Sequence, residues 1–192
     1  TITEEKKQEY ERRMLAVSDN IPDIAAKAWD WYKANAEELK KCRRLIIIGY
    51  EECMGAMLEG TLKILEAVRY SVTGYELEEF MHGIYHAIDD KTLVIALGNQ
   101  SRHLDRMIRL LKYLKEHKNA CCLLITGSEA DILSFKYSFK GSNPYVSFEY
   151  LAVLQVFAEC MMKQRGINLN DPSDRNFHRY MNSYVYEEGE EK

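Results

Sequence analysis

The stretch Leu45-Ile46-Ile47-Ile48-Gly49 decides the fold class of this chain. It is a short apolar run of mostly β-branched residues that ends at a glycine, which predicts a strand covered on both faces of a sheet. The same pattern recurs in residues 92–98 and 121–127. Two helical patterns lie between these runs, over residues 53–68 and 101–118.

Apolar strands that alternate with helices predict a parallel sheet with right-handed crossovers. Weaker strands are expected near residues 70–73 and 133–139, and a last helix over residues 146–165. We therefore expect an α/β fold, a flavodoxin-like three-layer α/β/α sandwich with about five parallel strands. Ligands of such sheets bind beyond the carboxyl ends of the strands, which here are the loops after Gly49, Gly98 and Gly127.

The N-terminal region is predicted to be helical in two parts. Residues 1–19 are rich in charge and are interpreted as a helical arm or linker. A second helix is expected to begin at Asn20, with Asn20 as its N-cap and Pro22 in its first turn. The folded domain then covers residues 20–186, and the acidic residues 187–192 form a flexible, solvated tail.

Composition narrows the classes of function. The chain has 192 residues, 46% of them hydrophobic, and a formal net charge of −4, which argues against a nucleic-acid partner. No apolar run approaches the roughly 18 residues of a membrane span, and the N-terminus has no signal-sequence pattern. The five cysteines have no metal-ligand spacing and indicate reduced, buried thiols. We expect a cytoplasmic protein without a membrane partner.

The predicted helix over residues 53–68 has only three charged residues, Glu59, Lys63 and Glu66. Their spacing places them within about 60° of arc, and the remaining small and apolar residues predict a helix that is buried nearly all round. A solvated ion pair is the ordinary explanation of such a stripe. The alternative is chemical: a lysine between two carboxylates can hold one of them ionised, so that it removes a carbon-bound proton next to a carbonyl.

A histidine lies shortly after this helix, where His82 and Gly83 follow a run of acids and aromatics. The ordinary interpretation is a surface or capping residue at a turn. His86 lies four residues later, so a metal pair is conceivable, although the sequence offers no evident third ligand.

Taken together, two motifs resemble a known family. Glu59-Gly60-Thr61-Leu62-Lys63-Ile64-Leu65-Glu66, followed by Glu79-Phe80-Met81-His82-Gly83, is similar to the second half of tandem sugar-isomerase (SIS) domain enzymes. The likeness covers residues 20–186 and includes the tail segment Asp-Pro-Ser-Asp-Arg-Asn at 171–176. This family includes the isomerase part of glucosamine 6-phosphate synthase and the deglycases of fructosamine 6-phosphates.

The resemblance implies roles for particular residues. Glu66 matches the general base that moves a proton between the C1 and C2 carbons of the sugar. His82 matches the histidine that assists ring opening and proton transfer, often in the site of a partner subunit. Glu59 and Lys63 match residues that orient the base and the open-chain sugar. The resemblance implies no metal and no other cofactor, because the carbonyl itself makes the neighbouring proton acidic.

The chain also departs from the family pattern. Arg179 stands where the synthase has a lysine that forms a Schiff base, and an arginine cannot form that imine. This favours the deglycases, whose substrate already carries an amine. The loop Tyr50-Glu51-Glu52 would repel phosphate. The loop with Gln100 and Ser101 is the better anion site, so we expect another SIS half or a partner to contribute to phosphate binding.

The expected function is therefore that of a deglycase-like enzyme acting on a fructosamine (ketoamine) 6-phosphate or an amino-sugar phosphate. Its substrate-binding residues would be Glu59, Lys63, Gln100, Ser101 and Arg179, with Glu66 and His82 as catalytic residues. An aldose–ketose isomerase, a phosphosugar-binding module without chemistry, and a half that serves dimerisation remain as alternatives. The expected partners are a phosphorylated sugar and a second copy of the chain, a second SIS half, or both.

Overall fold

The central layer of the computed structural model is a five-stranded parallel sheet with the order β2-β1-β3-β4-β5. The structure describes residues 2–99, 103–140, 145–170 and 176–182. The strands are β1 (Arg44–Gly49), β2 (Ser71–Glu76), β3 (Thr92–Gly98), β4 (Cys121–Thr126) and β5 (Ser134–Lys136). Every neighbouring pair is parallel, which confirms the predicted fold class.

Helices cover both faces of the sheet. They are α1 (Glu4–Leu39), α2 (Met54–Val68), α3 (Leu77–Phe80), α4 (Leu104–Lys118), α5 (Val146–Gln164) and α6 (Phe177–Tyr180). Two single 3₁₀ turns, Glu51–Cys53 and Ile84–Ala87, precede α2 and follow α3. No helix of the described residues is long and apolar enough to cross a membrane.

Side chains that alternate along the strands belong to two separate hydrophobic cores, one on each face of the sheet. On β1, Leu45 and Ile47 belong to the core shared with α1, α2 and α5, which we call the first face of the sheet. Ile46 and Ile48 belong to the core shared with α3 and α4, the second face. The helix that carries Glu66 and the segment that leads to His82 therefore lie on opposite faces.

The N-terminal region is one helix, so the prediction that a second helix begins at Asn20 is wrong. Helix α1 continues through Pro22, and its N-cap is Thr3, whose side chain accepts a hydrogen bond from the Lys6 N–H. Asn20 is buried and its amide contacts Glu149, 2.5 Å away. A proline inside a helix costs a backbone hydrogen bond. Here the packing of α1 against α5 keeps the helix continuous.

The sheet edges also differ from expectation. Strand β2 runs to Glu76 rather than ending near residue 73, and β5 has three residues rather than seven. Edge strands bury fewer side chains than central ones, so their sequence pattern marks their ends poorly. Helix α4 begins at Leu104, and residues 101 and 102 lie outside the described part of the chain.

Helix α2 is not buried nearly all round, contrary to the prediction. Gly60 lies directly against Leu154, so α2 packs closely on α5 where a larger residue would clash. On its outer side, however, Leu58, Leu62 and Leu65 are 62%, 44% and 49% exposed. Sequence periodicity cannot distinguish an apolar side chain that faces the core from one that faces outward.

Candidate active site

The structure brings the three charged residues of α2 into contact. The Lys63 Nζ lies 2.8 Å from the Glu66 Oε2 and 3.5 Å from the Glu59 Oε1. Their positions on successive turns of one helix explain this arrangement, because residues three or four apart are neighbours on the helix surface. We call this set the α2 triad.

The electrostatics of the triad define what Lys63 can do. Its hydrogen bond to Glu66, with the charges of Glu66 and Glu59, raises the pKa of Lys63 above its usual value. The lysine therefore remains an ammonium at neutral pH and does not act as a nucleophile. Glu66 is 54% exposed, so its carboxylate can reach a ligand while one oxygen holds the Lys63 ammonium.

Glu66 opens into a groove between α2 and α5. The groove has a volume of about 520 Å³, which lies within the range of about 300–1,000 Å³ for small-molecule sites. Its lining residues are Lys63, Glu66, Ala67, Gln155, Ala158, Glu159, Met162 and Leu169. One wall thus comes from α2 and the other from α5. We call it the α2–α5 groove.

The α5 wall was missed by the sequence analysis. Gln155 and Glu159 are exposed on an otherwise strongly apolar helix, and Lys163 follows with its Nζ 2.6 Å from the Glu159 Oε1. The signal was present in the sequence, because polar residues four apart in an apolar helix repeat the pattern of the α2 triad. Only the packing of α2 on α5 reveals that the two polar stripes border one groove.

A ridge of leucines runs along α2 beside the triad. Leu58, Leu62 and Leu65 are spaced four and three residues apart, so they line one side of the helix and face outward. Strand β2, which contacts α2, is an edge strand of the sheet. The ridge is thus an apolar surface close to the candidate site.

His82 is not brought to Glu66 within one chain. It is exposed in the turn after α3, where its N–H donates to the Glu79 carbonyl over 3.1 Å. Its neighbours Met81 and Ile84 pack against the core of the second face. Glu66 lies on the first face, near the end of α2 that leads into the start of β2. The sheet therefore stands between the two residues.

The remaining candidate residues are only partly described. Arg179 is exposed on the short helix α6, and within the described residues it forms no ion pair. Gln100 and Ser101 lie outside the described part of the chain. Across residues 2–99, 103–140, 145–170 and 176–182, no three His, Cys, Asp or Glu side chains gather as a metal-binding group.

The loop after β1 is occupied by its own polar contacts. The ring of His103 lies 3.9 Å from that of Tyr50, and its Nε2 lies 3.9 Å from the Glu51 Oε1. The Asn99 amide donates to the Glu52 carboxylate over 3.4 Å. With two carboxylates, the loop after β1 disfavours an anion, as the sequence suggested.

A smaller cavity of about 150 Å³ lies at the opposite edge of the sheet, with a mainly apolar lining. Its polar groups already have partners: the Tyr32 hydroxyl donates to the Gln164 Oε1 over 2.9 Å, and the Tyr70 hydroxyl donates to the Cys42 carbonyl. The cavity is smaller and mainly apolar, and its tyrosine hydroxyls are already paired, so the α2–α5 groove is the better site.

Comparison with known proteins agrees with this architecture. Residues 38–137 match the SIS domain. The chain is 25% identical over 147 residues to the glutamine–fructose-6-phosphate aminotransferase (isomerizing) of Cyanidium caldarium, which covers 74% of this chain and 23% of that protein.

Two solved structures share the fold with higher identity. A candidate phosphosugar isomerase from Clostridium difficile 630 superimposes with a TM-score of 0.82 at 27% identity, covering 94% of this chain and 51% of the other. A candidate sugar-binding protein from Salmonella typhimurium LT2 gives a TM-score of 0.72 at 27% identity, covering 82% and 49%. The chain thus spans about half the length of these two proteins and less of the curated relative.

Proposed function

Because this chain belongs to the SIS domain family, we propose that it is the base-bearing unit of an enzyme that acts on a phosphorylated sugar. Glu66 is the proposed base. The observation that carries the proposal is the position of its carboxylate, which is held by Lys63 at 2.8 Å and opens into a groove of ligand size. A base must reach the proton that it removes, and the exposure of the Glu66 carboxylate to the groove supports this role.

The reaction proposed is a proton transfer between neighbouring carbons of the open-chain sugar. In a ketoamine, removal of a proton from C1 gives an enaminol, and return of the proton to C2 leaves an imine at C1. Water then hydrolyses the imine to an aldose phosphate and a free amine. Glu66 would carry the proton, while the fixed positive charge of Lys63 orients its carboxylate and faces the charge that develops on the sugar oxygen.

We propose that a second SIS unit completes the site. His82 lies across the sheet from Glu66 in the same chain, so the His82 imidazole could act beside Glu66 only in the site of another unit. The leucine ridge on α2 offers an apolar surface beside the groove where such a unit could pack. The second unit would be another copy of this chain or the other half of a tandem protein.

We propose that residues outside the α2 triad bind the phosphate group. Glu51 and Glu52 after β1 oppose an anion, and the end of β3 at Gly98 lies at the end of the sheet away from Glu66. We therefore propose that Gln100, Ser101 and Arg179 contribute to phosphate binding in the site that two units share. Arg179 suits this role because its guanidinium is always charged and can contact two phosphate oxygens at once.

Two classes of substrate follow from different observations. Arg179 in place of an imine-forming lysine favours a deglycase that acts on a ketoamine 6-phosphate. The names of two relatives, an isomerizing aminotransferase and a candidate phosphosugar isomerase, favour an aldose–ketose isomerase. A third candidate function is the binding of a sugar phosphate without a reaction, which the name of the Salmonella relative, a candidate sugar-binding protein, favours.

The test is an assay of the full-length protein with a panel of fructosamine and amino-sugar 6-phosphates, measuring glucose 6-phosphate and free amine. Glu66→Gln is expected to lower turnover at least about 1,000-fold while the melting temperature stays unchanged, because the amide keeps the shape but cannot accept the proton. Glu116→Gln, on α4 at the second face, is the matched control. A Glu66→Gln protein that works at the wild-type rate would disprove the role of the base.

A further inference from the structure

Helix α5 presents a polar stripe to the groove that no family motif accounts for. Gln155, Glu159 and Lys163 are exposed and stand four residues apart. The opposite side of the helix carries Leu154 and Phe157, which are completely buried. Polar residues in this register are not required for packing. Two of them, Gln155 and Glu159, line the same groove as Glu66.

Each wall of the groove carries one carboxylate that is paired with a lysine of its own helix, but only Lys63 of these two lysines lines the groove. On α2 the Glu66 carboxylate is 2.8 Å from the Lys63 Nζ, and on α5 the Glu159 carboxylate is 2.6 Å from the Lys163 Nζ. A carboxylate has about four lone-pair sites, so Glu159 can accept further hydrogen bonds while it holds Lys163. Both carboxylates belong to residues that line one groove of about 520 Å³, which is large enough for an open-chain sugar.

We infer that Glu159 recognises the nitrogen of an amine-bearing sugar phosphate whose reacting carbons lie at Glu66. This inference rests on the proposed function of Glu66. It names the substrate class of the groove: a ketoamine or amino sugar in its protonated form, in preference to a sugar that carries only hydroxyls. Gln155, one turn before Glu159, offers both a donor and an acceptor to the neighbouring hydroxyl.

The charges of the groove determine this orientation. An amine beside C1 or C2 is protonated near neutral pH and is repelled by the Lys63 ammonium, which sits directly against Glu66. The substrate nitrogen therefore turns toward the other wall, where Glu159 lines the groove and its partner Lys163 does not. A carboxylate at this position also disfavours an anionic group, so the phosphate lies away from the α5 wall.

The inference predicts a change in specificity rather than a general loss of activity. In Glu159→Gln, the KM for fructosamine 6-phosphate is expected to rise about 10- to 100-fold, with kcat changed less than about threefold, because a charge-assisted contact to the substrate is lost. The KM for fructose 6-phosphate is expected to stay within about twofold, since this sugar has no nitrogen at that position. Glu159→Asp should recover part of the loss.

Lys163→Gln is the matched control, because it removes the ion-pair partner and keeps the carboxylate. Its KM for fructosamine 6-phosphate is expected to stay the same or fall. Calorimetric titration of both sugar phosphates into the inactive Glu66→Gln protein, with and without Glu159→Gln, measures the same preference without turnover. Circular dichroism verifies that each variant is folded.

The possible outcomes separate the inference from the proposed function. If Glu66→Gln retains the wild-type rate, the proposed base is wrong. The recognition by Glu159 is overturned if Glu66→Gln is inactive but Glu159→Gln changes the KM values for both sugars equally, or changes neither. If the wild-type protein turns over neither sugar, the calorimetric titrations test the recognition by Glu159. Equal affinity for both sugar phosphates would then overturn it.

Discussion

Two groups of charged side chains on the first face of the sheet differ sharply in burial. In the α2 triad, Glu66 is 54% exposed and lies at the edge of a groove. Glu149, at the start of α5, is 0% exposed. Its carboxylate accepts hydrogen bonds from the Lys140 backbone N–H over 3.0 and 2.9 Å and from the Asn20 amide over 2.5 Å.

The difference teaches how to separate a structural carboxylate from a chemical one. Glu149 is enclosed by donors that belong to α1 and to the segment after β5, so it holds these elements on α5 and offers nothing to a ligand. A buried charge without such donors would cost several kcal/mol. Glu66 has one lysine beside it and open space in front, which is the arrangement that a proton acceptor needs. Residue type alone does not distinguish them.

The largest expected effect is the loss of the buried carboxylate. Glu149→Leu should lower the free energy of unfolding by about 3 kcal/mol, because the Lys140 N–H and the Asn20 amide lose their acceptor inside the protein. The melting temperature should fall by about 6–12 °C. Urea denaturation followed by circular dichroism measures this, with Glu66→Gln as the comparison. If Glu149→Leu lowered the free energy of unfolding as little as Glu66→Gln does, the distinction between the two carboxylates would be lost.

The next effect concerns the triad. Lys63→Met should lower kcat/KM about 10- to 100-fold, because Glu66 loses the ammonium that orients it. Stability should change by less than about 1 kcal/mol, since exposed ion pairs contribute little. Lys112→Met is the control: Lys112 forms a comparable exposed pair with Asp131 on the second face, 3.4 Å apart. Equal activity of Lys63→Met and Lys112→Met would contradict a role for the triad.

A smaller effect is expected at the periphery of the buried network. The Tyr137 hydroxyl lies 2.8 Å from the Asn20 Oδ1 and 2.6 Å from the Asp23 Oδ2. Tyr137→Phe should destabilise the protein by about 1–2 kcal/mol without affecting turnover. Tyr113→Phe, at an exposed position on α4, should be neutral in the same denaturation experiment. If both variants are neutral, the hydroxyl does not hold α1 to the segment after β5.

The smallest effect is a pH dependence of this network. Hydrogen bonds from Lys27 and from Tyr137 lower the pKa of Asp23 below its usual value of 3.8. The stabilisation by Asp23 is therefore present above its unfolded pKa and is lost as the pH falls through the lower folded value. The difference in unfolding free energy between wild type and Asp23→Asn should be constant from pH 7 to pH 5 and shrink below about pH 4. A difference that does not vary with pH would exclude this linkage.

The central part of the fold was predictable because its signal is local. Runs such as Leu45–Ile48 and Leu93–Leu97 are apolar without interruption, and only a strand covered on both faces needs such a sequence. The single long helix α1 was not predictable in the same way. A proline and a capping residue at 20–22 favour a break, and the hydrogen bond from Asn20 to Glu149, 129 positions away, favours continuity.

In the candidate site, too, only the features that depend on one segment of the chain were predictable from the sequence. The α2 triad follows from the helical period alone, so the sequence is sufficient to place Glu59, Lys63 and Glu66 on one side of the helix. The α5 wall with Gln155 and Glu159 could not, because its relation to α2 depends on how two helices pack. The separation of His82 from Glu66 by the sheet likewise depends on which face each crossover covers.

By itself, the order of amino acids determined the strands of the sheet's centre, the helical stripe of charges and the family to which the chain belongs, since each of these depends on residues close together along the chain. Tertiary structure alone decided that Asn20 is buried, that the leucines of α2 face outward, and that Glu66 shares a groove with Glu159 and not with its own His82. These features depend on contacts between distant segments, and a pattern read along one segment carries no information about its neighbour in space.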